Sequence, residues 1–346
     1  LSLDFAEFLL AEGATLAVPT HTNASLVSAS RPDLRAEAED PEAVAEARRV
    51  MEIYEELGCT PMWTCAPYHE PDCRPELGHH IVGSESNAVS FFNSVLGART
   101  NKYGDVIDMA GAIIGEVPKA GLHTDEGRLA THRFRVELPD ELTADRSLPH
   151  VLGIIMGRAS GSDVPVIDGW MPLDETDLKA VAAAGASSGG VALFHVVGAT
   201  PEAATLADAT GGRVVERETV IDAASIEQAR SSLSTGRIGP VSAVCLGTPH
   251  FSIDEFTDLL DIIGDRRTSA DVKTFVTTSR AVSTELDLRA WTGRLERAGI
   301  EIVTDTCSYY RPRPTGVDGL VVTNSAKWAY YAPGMLDVDV VFTDLR

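Results

Sequence analysis

Two cysteines and a handful of hydroxyl-rich turns carry the reactive chemistry of this sequence. Cys65 lies in W-T-C-A-P-Y and Cys307 in D-T-C-S-Y, both in turns and neither at an apolar periodic position. Thiolates so placed are ligands for iron or an iron–sulfur cluster. The competing reading is a buried thiol, the commoner fate of a lone cysteine. The five cysteines (Cys59, Cys65, Cys73, Cys245, Cys307) contain no C-x-x-C and are irregularly spaced, so spacing does not choose between the two. Cys245, inside V-C-L-G, reads as core.

The stretch from Trp63 to Asn101 adds an acid between two hydroxyls (Ser84, Glu85, Ser86), then Asn87, Asn93, Arg99 and Thr100. Glu85 or a flanking serine could handle a proton while the helix start that follows attracts a carboxylate. The plainer alternative is a helix N-cap. Arg99 follows a helix ended by Gly97 and could fork onto a carboxylate or phosphate, or act as a helix-terminal cation. Downstream, T-N-S-A-K offers Thr323, Asn324, Ser325 and Lys327. Lys327 is flanked by Trp328, Tyr330 and Tyr331, which suggests partial burial and a role with a substrate carboxylate or a serine base. His250, in G-T-P-H-F-S, reads equally as an acid–base group or as a partner to the Ser252 helix cap.

Positioning these residues requires a large α/β scaffold. The chain has 346 residues, 44% hydrophobic and 23% charged, which is ordinary globular usage. A net charge of −22 argues against nucleic acid and anionic membranes. No apolar run reaches the ~18 residues of a membrane span. With no signal peptide visible at Leu1, the cytoplasm is the expected compartment. The chain starts without Met and stops just after an apolar run, so we expect one or both ends to be missing from a longer polypeptide. No Rossmann, P-loop, H-E-x-x-H or G-x-S-x-G pattern is present.

Strands are expected at Thr15–Thr20, Val151–Met156, Val191–Val197, Val241–Gly247, Val272–Thr277, Ile300–Thr304, Leu320–Thr323 and Val338–Phe342. Helices are expected at Pro41–Leu57, Ser86–Leu96, Asp174–Ala184, Pro201–Ala209, Ala223–Leu233, Ser252–Ile263 and Ser283–Ala298. Strand–helix alternation of this kind gives parallel sheets with helices on both faces. The division is expected near Leu148, with one α/β part at 1–147 and a second at 148–346. Four strands of the second part end in hydroxyl clusters with one special residue each: His250, Arg280, Cys307 and Lys327. Ligands of open parallel sheets bind beyond the carboxyl ends of the strands, so these clusters are expected to share a crevice.

Taken together, T-C-A-P-Y, S-E-S-N-A-V-x-F-x-N-S-V-L-G-A-R-T-N, G-L-H, G-T-P-H-F-S, D-T-C and T-N-S-A-K-W-A-Y-Y-A-P-G resemble the large catalytic domain of the aconitase X family. The likeness runs from about residue 15 to Val341. It implies an aconitase-like fold and an iron–sulfur-dependent dehydratase. One branch of the family removes water from cis-3-hydroxy-L-proline, giving Δ1-pyrroline-2-carboxylate; the other acts on mevalonate 5-phosphate. The second branch carries G-C-P-H where this chain has Thr248, so the motif is more similar to the first. By this resemblance Cys65 and Cys307 are cluster ligands, with Cys245 a candidate substitute for the missing cysteine. A [2Fe–2S] cluster is expected ahead of the larger types. Glu85, Ser86, Ser325 and Lys327 are the acid–base candidates; Ser84, Asn87, Asn93, Arg99, Thr100, His250, Ser252, Thr323 and Asn324 are the substrate-binding ones. The family also implies a small swivelling domain, as a separate subunit or a fused part outside this sequence. The alternative class is a non-catalytic binding or scaffold subunit with the same fold.

Overall fold

Nine strands form two all-parallel sheets in the computed structural model, which describes residues 2–35, 40–169 and 173–345. The chain divides into two compact units. One comprises Leu1–Pro67, Gly104–Glu116 and Thr235–Arg346, the other Tyr68–Tyr103 and Val117–Ser234. The stretch from Trp63 to Asn101 is therefore shared between them, and residue 148 lies within the second unit, where it opens a helix.

The second unit holds strands β1 (His132–Val136), β2 (Pro165–Asp168), β3 (His195–Val196) and β4 (Arg217–Ile221), in the order β3-β2-β1-β4. Most of this sheet escaped sequence reading. β1 is H-R-F-R-V and β4 is R-E-T-V-I. Their charged residues pair laterally, Arg133 bonding Asp168 and Glu218, so neither strand shows an apolar run. Conversely, the apolar run Val151–Met156, expected as a strand, is part of the helix Leu148–Ser160. A fully buried run carries no periodicity that separates helix from strand. What selects the helix is its neighbour. Gly153 and Gly157 face the helix Glu175–Gly189 so closely that a Cβ on Gly157 would lie 2.7 Å from the Gly185 carbonyl oxygen, and one on Gly153 2.6 Å from that of Val181.

The first unit holds β5 (Val241–Phe251), β6 (Lys273–Thr278), β7 (Ile300–Val303), β8 (Leu320–Thr323) and β9 (Asp339–Phe342), in the order β7-β6-β5-β8-β9. These match the expected strands to within a few residues. Leu246, Phe251, Phe256, Val276, Leu286 and Ile300 anchor its core. The expected helix Ser283–Ala298 is two helices, Arg280–Leu288 and Thr292–Arg297, separated by Ala290 at φ 57°. Residues 15–20 form no strand; Thr22, in the polar turn after them, instead accepts the backbone N–H groups of Met62 and Trp63, each at 2.9 Å. Those bonds hold Trp63 at φ 48° and set the direction in which the chain enters the Cys65 turn. The helices Leu3–Ala11 and Asp105–Ile114 were not anticipated. Among the described residues no helix is long and apolar enough to cross a membrane.

The glycine contact makes a clear prediction. Gly157→Ala should destabilise the fold by ~1–3 kcal/mol through overpacking, read as a lowered thermal midpoint. Gly104→Ala, where an added Cβ meets nothing within 4 Å, should leave that midpoint nearly unchanged.

Candidate metal centre

The turn after Trp63, the end of β5 and the loop after β7 bring Cys65, His250 and Cys307 together, all three buried. Their donor atoms lie within 4.8 Å of one another. The two sulfurs are 3.7 Å apart, and the His250 backbone N–H points at Cys65 Sγ at 3.4 Å. A backbone donor aimed at sulfur favours the thiolate, the form that binds metal.

His250 is oriented by three polar contacts. Its Nε2 lies 3.0 Å from the Thr306 carbonyl oxygen, which can only accept, so Nε2 carries the proton. In the neutral ring Nδ1 is then an acceptor, 2.9 Å from the Thr64 hydroxyl. That hydroxyl in turn accepts the Ala66 N–H at 3.1 Å. The ring thus ties the residue before Cys65 to the residue before Cys307. Sequence reading placed His250 on the substrate; here it stands with the thiols.

The Cys307 loop is held from beneath by a residue that no sequence motif marked. Arg35 is 4% exposed. Its guanidinium donates to the carbonyls of Tyr310, Pro312 and Cys307 and to the Thr306 hydroxyl. Burial pulls its pKa down to about 10, an effect partly offset by Cys307 and Tyr310. Nothing in S-A-S-R-P-D-L-R distinguishes Arg35 from Arg31, which pairs at the surface with Asp33 and Glu301. Asp305, at φ 74° and with a fully buried carboxylate, accepts from Ala29 N–H at 2.9 Å and from Arg280 at 2.6 Å. Arg280 is thereby spent on the loop that presents Cys307.

Cys245 is not a member of the group. Burial pushes its thiol up to about 12, against a weaker opposing hydrogen bond with Ser308, so it remains a neutral core thiol, as its place within V-C-L-G suggested. In T-N-S-A-K, Ser325 is the N-cap of the helix Ala326–Leu336, accepting from Trp328 N–H at 3.1 Å and donating to the Thr248 carbonyl. Thr323 accepts the Ser325 N–H at 3.1 Å, and Lys327 is only 2% exposed. Ser252 caps its helix through a reciprocal box with Glu255. Two polar atoms here, Thr248 Oγ1 and Asn324 Oδ1, are buried and have no hydrogen-bond partner among the described residues. Such atoms are the places a polar ligand completes.

In the second unit Glu85 is the N-cap of the helix Ser86–Ser94 and accepts from Asn87 N–H at 3.2 Å; Ser84 and Ser86 beside it are half-buried. Asn87 accepts from the Tyr68 hydroxyl at 2.7 Å. Asn93 makes four hydrogen bonds, donating to the carbonyls of Thr100 and Ala192 and accepting from Thr100 N–H and Arg128. That exhausts an amide side chain, so Asn93 braces the turn and has nothing left for a ligand. Thr100 donates to the Asn101 carbonyl at 2.7 Å, and Arg99 pairs with Asp125.

Comparison with known proteins bears on all of this. The family models Aconitase X first domain, second domain and third domain match residues 1–126, 130–231 and 241–346. The cis-3-hydroxy-L-proline dehydratases of Pseudomonas aeruginosa and Hypocrea jecorina are 39% and 37% identical over 99% and 96% of this chain. The chain spans only 59% and 56% of their lengths. The phosphomevalonate dehydratase large subunit of Methanothermobacter thermautotrophicus is 36% identical over 99% of this chain and 82% of its own. The crystal structure of Thermococcus kodakaraensis aconitase X in its holo-form superposes with TM-score 0.83 at 30% identity, covering 99% of this chain and 83% of that one.

Removing the Arg35 brace should be costly. Arg35→Met strands several buried carbonyl oxygens and should destabilise by ~3 kcal/mol or more, whereas Arg31→Met should cost under ~1 kcal/mol. Thermal unfolding of the two variants side by side checks the contrast.

Proposed function

Because the chain belongs to the aconitase X family, we propose that it is a hydro-lyase removing water from a β-hydroxy carboxylate, with cis-3-hydroxy-L-proline as substrate and Δ1-pyrroline-2-carboxylate as product. The observation that carries this reading is the buried Cys65–His250–Cys307 group, a donor set of two sulfurs and an imidazole in one compact cluster. We assign a [2Fe–2S] group held by Cys65 and Cys307, with His250 beside them; its Nδ1 could serve as a ligand only by giving up the Thr64 hydroxyl. Bound there, such a group supplies Lewis acidity toward a hydroxyl and a carboxylate.

The rest of the reaction is the work of side chains. Dehydration needs a base for the proton next to the carboxylate and an acid for the departing hydroxyl. Ser325 and Lys327, both in the first unit, are the groups we put forward. Lys327, nearly fully buried, is the ammonium we put forward to face a substrate carboxylate. Thr248 Oγ1 and Asn324 Oδ1 are the polar atoms we assign to hold substrate, since each is buried without a protein partner among the described residues.

Charge supports the imino acid over the phosphate ester. Of the three cations near the motifs, Arg99 is already paired with Asp125 and Arg280 with Asp305. A phosphate dianion calls for several uncommitted donors. We further propose that activity requires a small swivelling domain, as a separate subunit or a fused part; a relative named as a large subunit supports this. The cytoplasm is the proposed compartment, in keeping with five cysteines that form no disulfide.

The test is anaerobic purification with the small partner, iron analysis, and an assay with cis-3-hydroxy-L-proline that follows pyrroline-2-carboxylate. We expect a brown, iron-containing protein that turns over. Cys65→Ala and Cys307→Ala should lose bound iron and at least ~100-fold in turnover. An iron-containing protein that dehydrates mevalonate 5-phosphate instead would overturn the substrate, and a colourless, iron-free, inactive one would favour a binding subunit.

A further inference from the structure

The second unit contains a chain of side chains that the reading above leaves unused. His80 Nδ1 lies 2.9 Å from His123 Nδ1, and His123 Nε2 lies 2.8 Å from the Tyr103 hydroxyl. The two imidazole planes lie 17° apart with centroids at 5.1 Å, edge to edge. His80 is exposed, His123 is 1% exposed and Tyr103 lies between these extremes. Short backbone pairings hold the arrangement: residue 80 bridges to 99 and residue 83 to 102, in parallel. His123 closes a single 3-10 turn, Gly121–His123.

One amide fixes the acceptor side of the phenol in this chain. Asn101 Oδ1 accepts the Leu122 N–H at 2.9 Å, and Asn101 Nδ2 donates to the Ala120 carbonyl at 3.1 Å. Those two backbone partners fix which end of the amide is which. Asn101 Nδ2 also faces the Tyr103 hydroxyl at 3.3 Å, so the phenol oxygen accepts there. With the phenol hydrogen turned toward His123 Nε2, 2.8 Å away, the remaining hydrogens order themselves along the chain. That ring is left with its hydrogen on Nδ1, which donates to His80 Nδ1. His80 is in consequence protonated on Nε2, the nitrogen not committed to His123. Gly121, at φ 57°, allows the amide to sit so close; a Cβ there would collide with Asn101 Oδ1.

We propose that Tyr103, His123 and His80 form a proton relay, with Tyr103 as the acid–base group at one end and His80 as its outlet to solvent at the other. Three hops in one direction move one proton: Tyr103 O–H to His123 Nε2, His123 Nδ1–H to His80 Nδ1, and His80 Nε2–H to water. No electron changes hands. What remains is a Tyr103 oxyanion receiving two hydrogen bonds, from Asn101 Nδ2–H and His123 Nε2–H, and this oxyanion is a base that takes up one proton. The charged groups around His123 are His80, Arg99 with its partner Asp125, and Arg128 with its partner Glu202. Burial first, then His80, Arg128 and Arg99, hold the His123 pKa below its ordinary value. A ring so disposed passes a proton on without retaining it. The relay stands on the geometry of this unit alone; any part it takes in turnover rests on the dehydratase reading.

Two measurements separate those claims. Two-bond 1H–15N spectra of histidine-labelled protein at pH 8 should show His123 with its hydrogen on Nδ1 and His80 with its hydrogen on Nε2, with signals assigned through His80→Gln and His123→Gln. Tyr103→Phe should release His123 from its single tautomer. A His123 hydrogen on Nε2 at pH 8, or a tautomer unaltered in Tyr103→Phe, would overturn the relay whether or not the protein turns over. If the relay is present, Tyr103→Phe in the active complex should lower kcat ~100-fold and leave KM within about twofold. Unchanged kcat would overturn its part in the reaction while leaving the tautomer chain standing.

Discussion

The imidazole of His250 is the tie on which the thiol pair depends. One ring contacts the Thr64 hydroxyl and the Thr306 carbonyl, and the same residue's backbone N–H meets Cys65 sulfur. Two loops separated by more than half the chain are thereby held at sulfur–sulfur contact. The ring is fully buried, so losing either side contact would leave a polar nitrogen dry, at the full desolvation cost of that group. Parallel pairing of β5, β6 and β7 brings the two strand ends side by side, and His250 converts that rough alignment into a site.

A buried cation without a carboxylate is the second constraint. Arg35 meets carbonyls and a hydroxyl where an acid would be the usual partner. Its positive charge therefore remains uncompensated by side-chain acids among the described residues, directly beneath the loop that carries Cys307. Asp305 does the complementary job, spending its charge on Arg280 and on backbone N–H, so that it rigidifies the loop without adding a net negative charge beside the sulfurs.

The second unit spends its polar side chains differently. Asn93, Asn87 and Glu85 are committed to brace turns and cap a helix. Asn101 instead donates to the Tyr103 hydroxyl, which in turn faces the first of two imidazoles. Both jobs use an amide whose orientation is fixed by backbone partners, and only the identity of what the amide faces separates scaffold from chemistry.

Much of the first unit was legible in the chain itself. β5 to β9 are apolar runs bounded by turn residues, and a parallel sheet sends its chemistry to the carboxyl ends of such strands, so Cys307 and His250 stood out. The second unit was less legible. β1 carries charges that those of β2 and β4 neutralise only once the strands lie side by side, and Val151–Met156 became a helix because two glycines admit a neighbour. Cap and ligand readings of Ser252 and Glu85 were inseparable in sequence, since both use a small polar residue before a helix. Residue types and local spacing determined which loops could hold a metal. Tertiary structure alone decided that His250 joins the thiols, that Cys245 does not, and that Arg35 supports them, because each outcome depends on distances and burial between segments far apart in the chain.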